Sequence, residues 1–302
     1  MKPTTLLLLL ASLLILAGCT QPHSSSEETA PVIPIPVIFD TDANNELDDQ
    51  HALAYLLLNR DAFDVVGITV NATWNGGAID KHYEEAVRVV RLCDLEGQIP
   101  VYKGADGNFS DIRMQLHGDN YDGAEAVEFM LREAEKERNE PLVIIAVGKL
   151  TNVALALKRA PDLAEKIRLV WLGSNYPEPG EYNLENDTMA MNYLLNSSVP
   201  FEMVTVRYGE PSGTAAVTVT QQEINQTMPG LGPAASEPVT GRHGGTFSRF
   251  GDYSVSLFEY IDYSDEERSR ALFDMAAVAI VKDPSRADSL HIPAPMMTKN
   301  QW

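Results

Sequence analysis

The chain has 302 residues, of which 44% are hydrophobic and 22% charged, a composition that excludes a wholly disordered, collagenous or coiled-coil protein. That length suits one large domain or two small ones. Lys and Arg total 23 against 43 Asp and Glu, a formal charge of -20, which repels nucleic-acid phosphates and excludes a nucleic-acid binder. Solubility alone accounts for much of such a charge, but excess carboxylate also suits a hard cation such as calcium, and positions must separate the two.

Lys2 precedes an apolar run from Leu6 to Ala17 that is too short to span a bilayer as a helix. The run ends in Leu16-Ala17-Gly18-Cys19, which resembles a bacterial lipoprotein signal. The resemblance implies removal of residues 1–18 and lipidation of Cys19, with the chain anchored in a bacterial cell envelope and facing the periplasm or the outside. Residues 19–36, rich in Ser, Pro and Glu, read as a flexible tether to a domain over 37–302. With Cys19 lipidated, Cys93 has no partner; in the helical pattern Val87-Val89-Val90-Leu92 it reads as a buried, inert thiol.

Short apolar runs then alternate with helical patterns. Strands are expected at Pro36 to Phe39, Val65 to Val70, Ile99 to Tyr102, Leu142 to Val147, Leu169 to Leu172 and Phe201 to Val206. Helices are expected at Asp49 to Asn59, Ile79 to Leu95, Ala124 to Glu137, Asn152 to Arg159 and Thr188 to Leu195. The pattern predicts an α/β fold, a mostly parallel central sheet with helices on both faces. Ligands in such sheets collect beyond the carboxyl ends of the strands, so chemistry is sought there. Gln226 to Gly251, rich in Gly, Pro and Ser, reads as a long mobile segment over one face, and Glu266 to Lys282 as a last helix.

The loop after the first strand carries the strongest signal. Asp40, Asp42, Glu46, Asp48 and Asp49 fall close together where a strand leads into a helix. Asp40 and Asp42, two apart, share one face of the extended chain. A helix N-cap explains one aspartate such as Asp48, but not four. Carboxylates this crowded repel, and a divalent cation relieves the repulsion.

This segment resembles the N-terminal signature of the inosine-uridine-preferring nucleoside hydrolase family, usually Asp-Thr-Asp-Pro-Gly-x-Asp-Asp. Here both aspartate pairs are kept, but Ala43 to Leu47 stands where the family has three residues, so the loop must bulge differently. Gly148-Lys149-Leu150-Thr151-Asn152 is similar to the family's Gly-Gly-Leu-Thr-Asn turn, Glu181-Tyr182-Asn183 to its Glu-Phe-Asn, and Phe273-Asp274-Met275-Ala276-Ala277-Val278 to its His-Asp-Pro-x-Ala-Val. Taken alone, Thr151 is an ordinary helix N-cap and Asp274 a polar residue near a helix start. The matches span nearly the whole domain and imply a Rossmann-like nucleoside hydrolase fold.

The resemblance implies calcium-dependent hydrolysis of ribonucleosides to ribose and free base. It implies calcium held by Asp42, Asp49, Asp274 and the Thr151 carbonyl, with Asp42 as the base. Asp48, Glu181 and Asn183 would bind the sugar, with an asparagine after the second strand; Asn71 and Asn75 both fit, and Asn75 is preferred. Phe273 replaces a histidine that is a candidate proton donor in many family members; it can stack on the base but cannot donate a proton. His243, in Gly241-Arg242-His243-Gly244-Gly245, is a substitute that could swing in, or a bystander. The inserted loop and Phe273 also admit a non-catalytic, calcium-dependent nucleoside- or sugar-binding lipoprotein on the same fold. Base preference, inner or outer membrane and oligomeric state, a homo-oligomer included, stay open.

Overall fold

The computed structural model describes residues 33–297; the expected signal and Cys19 lie outside the described residues. In chain order the domain runs β1 (Ile35–Thr41), α1 (Asp48–Leu58), β2 (Phe63–Val70), α2 (Ile79–Leu92), β3 (Val101–Lys103), α3 (Phe109–Ile112), α4 (Ala124–Ala134), β4 (Leu142–Ala146), α5 (Thr151–Arg159), β5 (Ile167–Leu172), α6 (Tyr182–Asn186), α7 (Thr188–Leu195) and β6 (Phe201–Val204). It continues with β7 (Thr218–Thr220), α8 (Gln221–Thr227), β8 (Val239–Thr240), β9 (Thr246–Phe247), α9 (Phe250–Tyr260), β10 (Ser269–Ala271) and α10 (Phe273–Lys282). β1 starts at Ile35, inside the segment expected as tether.

The six strands β1 to β6 form one parallel sheet in the order β3-β2-β1-β4-β5-β6. Alternate side chains of β1 point to opposite faces. Val37 and Phe39 join a core with residues of α1, α2, α9 and α10, whereas Ile38 joins one with residues of α4, α5 and α7. Pro36, which has no N–H to give, stands one residue before β4 joins β1 at Val37. The β1–β2 register shifts between Val37 and Ile38. Just beyond the shift, a Cβ on Gly67 would lie 2.4 Å from the Phe129 ring of α4, so only glycine lets that helix sit this close.

This strand order reverses direction between β1 and β4. The loops leaving those strands diverge to opposite faces and open a crevice at the carboxyl edge of the sheet. The acidic loop after β1 and the Gly148–Thr151 turn after β4 are therefore the two walls of one crevice.

Two expectations are corrected. Gln226 to Gly251 holds fixed structure: it contains the end of α8 and the β8–β9 pairing, and Arg242 at its turn donates to the Glu46 carbonyl at 2.7 Å. The last helix begins at Phe273, not Glu266, because Ser269 to Ala271 pair antiparallel with β7. Cys93 is buried, and burial pushes its thiol up to about 12, as an inert packing role requires. No described helix is long and apolar enough to cross a membrane.

Candidate active site

β1 delivers Asp40 and Asp42 to the crevice, and both are buried. Asp40 is saturated: Thr69 Oγ1 donates at 2.6 Å, Asn71 Nδ2 at 2.7 Å and Asn152 Nδ2 at 2.7 Å. It is the knot that ties β1 to β2 and α5. Burial still pushes it up to about 6 against those three bonds. Asp42 has one such partner, Thr73 Oγ1, which donates to its Oδ2 at 2.5 Å. Its other oxygen faces the space over Gly148, where a Cβ would stand 2.9 Å from Asp42 Oδ1 and 2.7 Å from Asn71 Oδ1. The buried Asn71 Oδ1 has no hydrogen-bond partner.

Asp48 and Asp49 open α1, but the N-cap is Leu47, so neither aspartate is there to cap. Thr41 Oγ1 donates to Asp49 at 2.5 Å. The Asp48 carboxylate takes main-chain N–H groups from its own turn and from Asp274, the second residue of α10. Two helix N-termini thus converge on the cluster, and their partial positive charge makes crowded carboxylates tolerable. Oxygen atoms of Asp48, Asp49 and Asp274 lie within 4.8 Å of one another. Burial, reinforced for each by neighbouring carboxylates, pushes Asp42 and Asp48 up to about 7 and Asp49 and Asp274 well above the carboxylate range.

An all-oxygen donor set of this charge fits a hard divalent cation, which would remove the repulsion. The orphaned Asn71 oxygen and the gap that Gly148 leaves fit a further polar ligand. Gly148→Ala should cost about 1–3 kcal/mol by pushing Asn71 and Asp42 apart; a melting temperature equal to that of the parent would show that the gap is not filled.

The inserted loop is braced rather than loose. Asn45 N–H donates to the Asp42 carbonyl at 2.9 Å, Asn44 Nδ2 to the Gly76 carbonyl at 2.8 Å, and Arg270 pairs with the Glu46 carboxylate. Leu47 is buried in the core. The extra residues therefore reach out to α2, β10 and the β8–β9 turn while Asp48 and Asp49 stay at the cluster.

Glu181 caps α6, its carboxylate accepting the N–H groups of Ser174 at 2.7 Å and of Asn183 and Leu184 at 2.9 Å. Burial pushes it up, and its field reaches Asp42 and Asp274. Asn183 spends its amide on the carbonyls of Val147 at 2.8 Å and Leu172 at 3.2 Å. It joins the ends of β4 and β5, leaving only its oxygen for a ligand. The Thr151 hydroxyl donates to Asp187 at 2.5 Å, so its side chain faces α7, not the cluster.

Asn75 is exposed, and its N–H goes to the Tyr182 hydroxyl at 3.0 Å. The residue after β2 that reaches Asp42 is Thr73, which neither candidate asparagine allowed for; Asn71 serves Asp40. His243 stacks on Tyr260 with ring centroids 4.8 Å apart, so it is held on α9. His51 is a buried packing residue, pushed down to about 4 by burial, its nitrogens on the Leu47 carbonyl and Ser254. Phe273 is half-buried and meets Tyr208 edge-on at 6.1 Å between centroids. Tyr208 was missed, although it lies four residues past β6, in the zone beyond a strand end where ligands collect. Glu181 and Asp48 both act on its hydroxyl, which is pushed up to about 12, chiefly by burial.

Fold and site together define an α/β protein with a buried, carboxylate-lined crevice at the switch point of a parallel sheet. Residues 37–300 match the model of the inosine-uridine preferring nucleoside hydrolases. The chain belongs to that family. It is 29% identical over 190 residues to the pyrimidine-specific ribonucleoside hydrolase of Shewanella oneidensis, covering 56% of this chain and 58% of that one. To the enzyme of the same description from Citrobacter koseri it is 31% identical over 191 residues, covering 56% and 59%. The chain thus spans less than two thirds of the length of these curated relatives. A purine-preferring ribonucleoside hydrolase from Gardnerella vaginalis shares the fold, with a TM-score of 0.64 and 20% identity over 85% of this chain and 83% of that one. So does a plant nucleoside hydrolase, at 0.63 and 20% over 84% and 80%.

Proposed function

We propose that this protein hydrolyses the N-glycosidic bond of ribonucleosides, releasing ribose and free base, with calcium as cofactor. The observation that carries the reading is the convergence of Asp42, Asp48, Asp49 and Asp274 in one buried crevice, with Glu181 beside it. Asp49 and Asp274 would hold the cation, with Asp42 and the Thr151 carbonyl as further ligands. When bound, calcium would anchor the sugar hydroxyls and acidify a water.

The side chains then divide the work. Asp42, with Oδ1 toward the gap over Gly148 and Oδ2 held by Thr73, accepts the proton of the attacking water. N-glycosides break through an oxocarbenium-like sugar, as O-glycosides do. Glu181, fixed by three main-chain N–H groups, presents negative charge to that developing cation without having to reorganise. The Asn183 oxygen and Asp48 bind ribose hydroxyls. Phe273 contributes an apolar face for the leaving base.

Incubation with a panel of ribonucleosides plus calcium tests the reading through free ribose. No ribose from any of them, in protein with confirmed calcium uptake, would overturn it. A p-nitrophenyl riboside should be cleaved much faster than inosine, because Phe273 offers no proton to the departing base; equal rates would reveal an efficient donor.

We also propose that lipid on Cys19 anchors the protein at the cell envelope. The mature protein should sediment with membranes, and Cys19→Ser should release it. A Cys19→Ser form that stays with membranes through a high-salt wash would contradict the anchor.

A further inference from the structure

We propose that the preferred leaving groups of this site are cationic aromatic heterocycles, as in N-ribosylpyridinium and N7-alkylpurine ribosides, which depart as neutral bases. The inference rests on the hydrolase reading above and deepens it.

The first observation concerns protons. Among the described residues no histidine bonds a carboxylate of the site. His51 is held by Leu47 and Ser254, His82 lies between the Asn44 N–H and the Gly77 carbonyl, and His243 is stacked on Tyr260. His117 and His291 are exposed. Lys149 Nζ is bound to the carbonyls of Asp106 and Gly107 and to Asn108 Oδ1. A neutral base needs a proton as it leaves; a cationic one needs none.

The second observation is the aromatic rim. Trp74 and Tyr208 remain 61% and 50% exposed, which core packing does not explain. Each forms an edge-on pair with a ring tied to the site. Trp74 meets Tyr182 at 5.3 Å, and the Tyr182 hydroxyl contacts Thr73, the partner of Asp42. Tyr208 meets Phe273, the neighbour of Asp274. Both rim loops are pinned. Trp74 N–H donates to Asn186 Oδ1 at 3.0 Å and Tyr208 N–H to Asn175 Oδ1 at 2.8 Å. Aromatic faces held at a carboxylate-rich mouth attract a cation, and the -20 charge of the chain steers it there.

The step balances without a proton donor. The water oxygen bonds C1′ as the C1′–N bond breaks, and that electron pair passes to the ring nitrogen and cancels its charge. The water proton goes to Asp42 and then to solvent. One proton is released per cationic substrate and none per neutral nucleoside.

The test uses the calcium-loaded protein. kcat/KM is measured for N7-methylguanosine against guanosine and for N-ribosylpyridinium against uridine, with p-nitrophenyl riboside as a neutral, activated reference. The cationic member of each pair should lead by about 100-fold or more, with a lower KM, and the N-ribosylpyridinium should release one proton per turnover in a pH-stat. Tyr208→Leu should lower that preference about 5-fold, the worth of a moderate cation–π contact, and Tyr208→Phe should keep it. Neutral nucleosides within 10-fold of their cationic partners would overturn the proposal and leave hydrolysis standing. A Tyr208→Phe form that loses only neutral substrates would also overturn it, by making Tyr208 the acid. If nothing is cleaved, the p-nitrophenyl riboside included, the hydrolase reading itself falls.

Discussion

Asp42→Asn should lower turnover by about 10²–10⁴-fold, the usual worth of a positioned general base, with little change in the fold. The variant keeps size and can still accept the Thr73 hydroxyl that now bonds Oδ2 at 2.5 Å. It removes the carboxylate whose Oδ1 lies over the Gly148 gap. It also removes one charge from a crowded cluster, so the apo protein should melt no lower than the parent. Single-turnover kinetics with p-nitrophenyl riboside isolate the chemical step, and an unchanged rate there would show that Asp42 is not the base.

Calcium should raise the melting temperature, and Asp49→Ala should largely abolish the rise. At a hundredfold excess over Kd, binding to the folded state alone contributes about 2.7 kcal/mol, roughly 5–10 °C for a domain of this size. The pH dependence has a definite sign. Asp42 and Asp48 are pushed up to about 7 in the folded chain, above their unfolded value near 4. In chelated protein their contribution to stability is present below that unfolded value and is lost as pH rises toward 7. The rise on adding calcium should therefore be larger at pH 8 than at pH 5, where protons occupy the oxygens the metal needs. A melting curve indifferent to calcium at pH 8, with no metal found by elemental analysis, would remove the metal from the mechanism.

The inserted loop bears on both results. Pro-Gly is lost between the aspartate pairs, yet Asp48 and Asp49 still meet Asp274. Arg242 and Arg270 hold Glu46, and Asn44 reaches Gly76, so the added length is absorbed outside the crevice. The loop also joins the carboxylate cluster to the β8–β9 turn, which sequence composition alone describes as mobile.

What the sequence determined by itself was local. Apolar runs of strand length between helical periods specify a parallel sheet, because both of its faces must be buried. Asp42, Asp48 and Asp49 are legible because a strand end and a helix start lie within ten residues, and backbone geometry alone brings them together. Asp274 is legible only through resemblance, since its partners are more than two hundred residues away in the chain.

Tertiary structure decided what depends on partners distant in sequence. Asn71 and Thr73 both follow β2, but only chain pairing determines that one serves Asp40 and the other Asp42. Asn183 sits in a segment similar to the family's Glu-Phe-Asn, yet its amide is drawn to the carbonyls at the ends of β4 and β5, because buried main-chain acceptors must be satisfied. Tyr208 carries no motif; it reaches the site because β6 ends at the same edge of the sheet as β1. Local sequence encodes which groups are charged or apolar, and the sheet order determines which of them share a low-dielectric space.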